Sequence, residues 1–200
     1  ATMPAKNVEI TGTFHVNRYA LMYQLDGQEY HKDSVAFGAV PPVVNAPTKE
    51  GYTFTGWTGL PATMPAKDVQ ATGTFRINRY AVIYKVDGQE TKRDSLDYGA
   101  TITTVAAPTK EGYTFSGWSS APATMPAKDV EITGTFRINR YAIIYKVDGQ
   151  ETKRDSLNYG ATITTVAAPT KEGYTFSGWS SAPATMPAKN VEITGTFHVN

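Results

Sequence analysis

Cysteine is absent from all 200 residues, which excludes disulfides, thiolate catalysis and cysteine-ligated metals. Histidine is scarce: His15, His31 and His198 sit at scattered positions and form no repeated metal site and no repeated Ser-His-Asp arrangement. No apolar run approaches the ~20 residues needed to cross a bilayer, so no membrane span is read here. Neither sign of charge dominates, with 19 basic against 18 acidic side chains and no basic cluster, so no nucleic-acid partner is indicated. The first residues show no charged and apolar leader, and the last show no sorting tail; export signals are expected outside this sequence.

What is present is repetition. ATMPAK begins at Ala1, Ala62, Ala123 and Ala184, an interval of 61 residues without insertion or deletion. That length suits a small domain with its own core and is too long for a solenoid coil. Asn17, Asn78, Asn139 and Asn200 occupy one equivalent position. They divide the chain into residues 1–17, 18–78, 79–139 and 140–200. The first 17 residues are identical to residues 184–200 and read as the closing segment of a preceding unit. The 40% hydrophobic and 12% aromatic content supplies enough apolar side chains for folded domains.

Within the middle unit, Arg79–Val86 alternates, with Tyr80, Val82, Tyr84 and Val86 on one face, which predicts a strand. Asp87-Gly88 favours the positive φ values of a tight hairpin turn, and residues 90–96 return as a polar edge strand. Residues 101–108 are rich in β-branched side chains and stop at proline, leaving room for one helical turn at most. Residues 113–118 predict a third strand, with a bulge at Gly117 turning Trp118 back over the core. Pro122 and Pro126 make the next segment an irregular crossing, from which Met125 plugs the core. Residues 130–138 predict a closing strand with Val130, Ile132, Phe136 and Ile138 facing inward. Each unit therefore reads as about four strands with little or no helix.

Asn139-Arg140 joins the closing strand to the next unit with no Gly, Ser or Pro spacer, which predicts little slack and an extended rod. Domains of this size are ~25–30 Å across, so three end to end span on the order of 80 Å. Tyr19, Tyr80 and Tyr141 beside the junctions read as packing residues.

The string PTKEGYTFSGW at residues 108–118, with Asp87-Gly88 and Tyr98-Gly99 before it and MPAKDVEITGTF after it, resembles the Listeria–Bacteroides repeat. That family includes the B-repeat of the Listeria internalins. The resemblance covers every complete unit; the chain departs from the commoner family ending at Ile132–Phe136, where it reads Ile-Thr-Gly-Thr-Phe. It implies a β-grasp-like fold, extracellular placement on a bacterial surface, and a stalk or spacer role without catalytic residues or cofactor.

Two readings of Trp57, Trp118 and Trp179 stand side by side. An exposed indole suits the apolar face of a sugar; alternatively each covers one end of a core that 61 residues barely fill. Asp26, Asp87 and Asp148 lack the alternating oxygen ligands of a calcium loop and read as hairpin turns. Lys128 beside Asp129, with Asn190 in the equivalent place, keeps an amide cross-link between side chains open. Three functional readings follow. The repeats are a stalk whose partners are their own neighbours; or they bind host protein or glycan by avidity. In the third, residues 1–17, with Val8, Ile10, Phe14 and Val16 in β pattern, pair with another chain and build a fibre; against it stands the reading that they only mark where a longer array was cut.

Overall fold

A computed structural model describes residue 2 and residues 5–200. Among the described residues it contains fourteen strands and no helix. By contact the chain divides into two units, Ala1–Tyr80 with Asp97–Gly99, and Ala81–Leu96 with Ala100–Asn200.

The first unit carries β1 (Arg18–Leu25), β2 (Gln28–Ala36), β3 (Tyr52–Thr58) and β4 (Val69–Ile77), in the order β2-β1-β4-β3. Asp26 and Gly27 take φ 49° and 82°, the left-handed pair of a hairpin turn that matches the twist of the strands it joins. β1 and β4 are parallel, from Leu21 opposite Val69 to Leu25 opposite Gly73. β3 runs antiparallel to β4 with a register shift between Phe54 and Trp57. Gly56, inside that shift, has φ 97°, which supplies the bulge expected before the tryptophan.

Alternation along β1 turns Leu21 and Tyr23 inward, where both are wholly buried. They meet Val35, Ala71 and Met64, with Tyr19, Trp57 and Leu60 packed at the margin. Met64 enters from the irregular crossing, as the sequence suggests for Met125, and that residue and Met186 are equally buried. Two strandless segments hold each other here: Gly38 N–H donates to Met64 C=O and Met64 N–H to Ala39 C=O, both at 2.8 Å. Backbone groups without a ladder are thereby satisfied.

The second unit repeats this plan twice. Its strands are β5 (Arg79–Val86), whose first two residues belong to the first unit, β6 (Gln89–Asp97), whose last residue does too, β7 (Tyr113–Phe115), β8 (Val130–Gly134) and β9 (Phe136–Ile138). They are followed by β10 (Arg140–Val147), β11 (Gln150–Asn158), β12 (Tyr174–Phe176), β13 (Val191–Gly195) and β14 (Phe197–Val199). Sheets β6-β5-β8 and β11-β10-β13 each carry the parallel central pair, while β7-β9 and β12-β14 are two-stranded.

The strand pattern expected for the middle repeat needs correction. The closing strand predicted over 130–138 is split at Thr135, and the third strand ends at Phe115. Ser116, where the first repeat has Thr55, accepts the Thr135 N–H on its hydroxyl oxygen at 3.1 Å, and Ser119 accepts that of Thr133 at 3.0 Å. Side-chain acceptors take backbone donors and the ladder breaks. Ile138 is 41% exposed, so the inward stripe ends at Phe136, and Ile83 is buried although it lies on the face opposite Val82 and Tyr84. Residues 7–17 form no strand, and Val8, Ile10, Phe14 and Val16 are exposed. A strand needs a partner, and the identical residues 184–200 have one in β10 and β12.

Candidate functional site

The densest recurring polar arrangement surrounds the asparagines that close each repeat. In the first unit, Asn78 N–H donates to Gly51 C=O at 2.9 Å, and Asn78 C=O accepts the Tyr98 N–H at 2.9 Å. Its Oδ1 accepts the Thr53 hydroxyl at 2.6 Å, and its Nδ2 donates to the Tyr80 hydroxyl oxygen at 3.4 Å. One asparagine thus joins the turn before β3 to the start of β5 and the end of β6.

Packing reinforces these bonds. Gly51 has φ 76°, and a Cβ there would lie 2.2 Å from Cγ of Tyr98. Only glycine tolerates both the backbone conformation and the aromatic ring laid against it. Tyr98 also meets Tyr52 edge-on at 6.0 Å, and Lys49 Nζ stands 4.0 Å above the Tyr52 ring.

The second unit contains the same joint. Asn139 bonds to Gly112 and Tyr159 at 2.9 Å each, to Thr114 at 2.7 Å and to Tyr141 at 3.4 Å. Gly112, φ 74°, would place a Cβ 2.2 Å from Tyr159. Parts of the joint recur elsewhere: Asn17 C=O accepts the Phe37 N–H at 2.8 Å, while Asn200 bonds to Gly173 and Thr175. The groups are mainly amides, hydroxyls and rings, and the arrangement fastens segments through hydrogen bonds and ring packing.

Tyr80 and Tyr141 lie in the joints, as their position in the sequence suggests. Tyr98, Tyr159, Gly51 and Gly112 were missed by sequence reasoning. The available signal was an aromatic at 37, 98 and 159 recurring with a glycine at 51, 112 and 173.

Each tryptophan belongs to the aromatic cluster of its own repeat. Trp57 meets Tyr23 and Phe54 at 5.0 Å and donates to Val44 C=O; Trp118 meets Tyr84 at 5.3 Å and Phe115 at 4.9 Å and donates to Val105 C=O. Trp179 meets Tyr145 at 5.3 Å and Phe176 at 4.9 Å and donates to Val166 C=O. All three are half-buried. Trp57 has a further neighbour, Tyr30, whose ring is 5.7 Å away and 47% exposed.

The hairpin aspartates are used internally: Asp26, Asp87 and Asp148 accept the backbone N–H of Phe75, Phe136 and Phe197. At the position considered for a cross-link, Asp68, Asp129 and Asn190 accept the N–H of Ala20, Ala81 and Ala142. Among the described residues, no group of three or more His, Asp or Glu side chains is placed to hold a metal, and no helix is long and apolar enough to cross a membrane. On the edge strands, the hydrogen bond from Arg93 holds Glu90 below the usual carboxylate range, and Arg154 does the same to Glu151. Burial, aided by the Asp33 carboxylate, pushes the Tyr23 phenol up.

The family model for the Listeria-Bacteroides repeat domain matches residues 19–69, 80–135 and 141–196. Internalin H of Listeria monocytogenes is 35% identical over 143 residues, covering 60% of this chain and 25% of the relative. The chain spans about a quarter of the length of the curated relatives it matches. Solved structures similar to it include Streptococcal High Identity Repeats in Tandem (SHIRT) domains 3-4 from a cell surface protein, at 19% identity and a TM-score of 0.28, covering 60% of this chain and 96% of that one. Another is the type 2 repeat of the mucus binding protein MUB from Lactobacillus reuteri, at 16% identity and a TM-score of 0.20, covering 62% and 100%. Three matches at the interval of the internal repeat, together taking in most of the residues, place the chain in the Listeria-Bacteroides repeat family.

Proposed function

We propose that these repeats are a stalk segment of a bacterial cell-surface protein, projecting another region of it away from the cell. The observation that carries the reading is the joint at Asn78 and Asn139, built twice from the same residue types with bond lengths that agree within 0.1 Å. A joint with four hydrogen bonds and a ring seated on a glycine resists bending, which a spacer requires and a flexible linker lacks. The reading takes residues 18–78, 79–139 and 140–200 as three grasp-like domains and assigns no catalytic role. It places them outside the cell, in keeping with Internalin H and with the surface proteins named above. Small-angle scattering of the full chain tests it: one narrow set of end-to-end distances is expected, and a broad distribution overturns it.

A second reading rests on Tyr30 beside Trp57, a ring pair that the first repeat adds where the others carry Thr91 and Thr152. Exposed rings stack on sugars and on apolar host surfaces, so this repeat is the place to seek adhesion. Glycan-array binding abolished by Tyr30→Ala, with the fold retained, is its expected signature; binding indifferent to that change removes it.

A further inference from the structure

In each repeat the opening strand lies beside the closing strand and runs parallel to it. The register runs from Ile143 opposite Val191 to Val147 opposite Gly195 in the third repeat. The same five-residue register recurs between β5 and β8 and between β1 and β4. Hydrogen bonds clasp the pair at both ends. Where the strands begin, Asn190 Oδ1 accepts the Ala142 N–H at 2.9 Å, and Asp129 and Asp68 do the same for Ala81 and Ala20. Where they end, Asp148 N–H donates to Gly195 C=O at 3.0 Å, and its carboxylate accepts the Phe197 N–H at 3.0 Å. Asp87 and Asp26 repeat both bonds. Between the clasps, one side-chain bond crosses the same two strands each time: Lys146 to Glu192, Lys85 to Glu131, and Gln70 to Gln24.

Strand direction decides how such a pair meets tension. The chain enters each repeat at the start of the opening strand and leaves past the end of the closing strand, so a pull along the chain drags the two neighbours past each other in opposite directions. The evenly spaced ladder bonds of a parallel pair, both clasps and the crossing side-chain bond are strained at once and fail together. An antiparallel hairpin pulled at its paired ends instead loses one bond after another. We propose that the parallel pair is a tension clamp, and that bearing mechanical load along the chain is a function of each repeat. The resistance is kinetic: forced unfolding is governed by the barrier to leaving the native state, and the clamp supplies that barrier. Load bearing does not rest on the stalk reading, because tension straightens a flexible chain and loads its repeats just as it loads a stiff one. A broad distribution of end-to-end distances in scattering would remove the stalk and leave the clamp in place.

The test pulls on the full-length chain. Its lack of cysteine lets an introduced pair define the points of attachment. Arg140→Cys with Val199→Cys puts the handles beyond opposite ends of the β10-β13 pair. Arg140→Cys with Asn158→Cys puts them on residues that face each other at one end of the β10-β11 hairpin. Val199 and Asn158 are exposed, and the bonds that Arg140 loses to Ser156 are lost in both geometries. In optical tweezers at one loading rate, the first geometry should rupture at a force roughly twofold or more above the second. A force no higher in the first than in the second overturns the proposal. Two further variants separate the clamp from general stability. Asp148→Gly suits the φ of 51° there and removes the acceptor for the Phe197 N–H, whereas Thr152→Ala removes a bond to Tyr145 C=O that lies between β10 and β11. At constant force in the first geometry, Asp148→Gly should shorten the lifetime of the folded repeat about fivefold and Thr152→Ala by less than about twofold. Equal shortening by both overturns the proposal, because load would then be resisted by the repeat as a whole and not by the parallel pair.

Discussion

Gly112→Ala and Gly173→Ala make a matched pair that isolates the joint from the backbone. Both glycines have nearly the same left-handed φ, 74° and 77°, so both substitutions meet the ~1–2 kcal/mol penalty of an L side chain in that region. They differ in surroundings: the new Cβ at Gly112 lies 2.2 Å from the Tyr159 ring, while at Gly173 nothing is within 4 Å. Backbone cannot yield by more than an ångström, so the Tyr159 ring must leave. Its edge-on contact with Tyr113, centroids 6.1 Å apart, is lost, for about 0.5–1.5 kcal/mol. The bond from Tyr159 N–H to Asn139 C=O goes with it, for about 1 kcal/mol. Gly112→Ala should therefore cost about 2 kcal/mol more than Gly173→Ala, a factor of roughly 30 in the local opening equilibrium. Native-state hydrogen exchange reads this directly, because the amides of Asn139 and Tyr159 are bonded across the joint and the Asn200 amide bonds to Gly173. Protection at Tyr159 in Gly112→Ala should fall about 30-fold more than protection at Asn200 in Gly173→Ala. Equal losses in the two variants would show that the ring is not seated on the glycine.

Asn139→Ala removes the acceptor for Thr114 and the donor to Tyr141 and should weaken the joint by about 1–2 kcal/mol; Asn139→Asp, which keeps the acceptor, should fall between it and the wild type in the same exchange experiment. Met125→Ala empties a slot that is 1% exposed and should destabilise the second repeat by about 2–5 kcal/mol, read from Trp118 emission in a Trp57→Phe, Trp179→Phe background. Lys85 pairs with Glu131 where the first repeat pairs Gln24 with Gln70, so Lys85→Gln with Glu131→Gln should stay within about 0.5 kcal/mol of the wild type in urea unfolding. A larger loss would mean the ion pair carries more than a partly exposed pair should. Glu90 has its folded pKa depressed by Arg93, so its small contribution is present above the ordinary carboxylate range and disappears as pH falls through the lowered value. Carboxyl carbon NMR should place the Glu90 midpoint below that range, and Arg93→Ala should restore it.

Sequence alone determined what depends on neighbouring residues. Alternation in Arg79–Val86 specified a strand, Asp87-Gly88 specified its hairpin through backbone φ, and Gly117 before Trp118 marked the break where the chain turns its largest ring inward. The methionine plug and the repeat family were legible for the same reason, since each is written within a few tens of residues. Tertiary structure decided what depends on a partner elsewhere. Ser116 interrupts the closing strand only because Thr135 comes opposite it, and Gly51 becomes a seat only because Tyr98 folds back onto it. The plainest case is the sequence NVEITGTFHVN, which carries β13 and β14 over residues 190–200 and no strand over residues 7–17. Its β propensity is the same in both places; a ladder also needs donors and acceptors from another strand, and only β10 and β12 supply them.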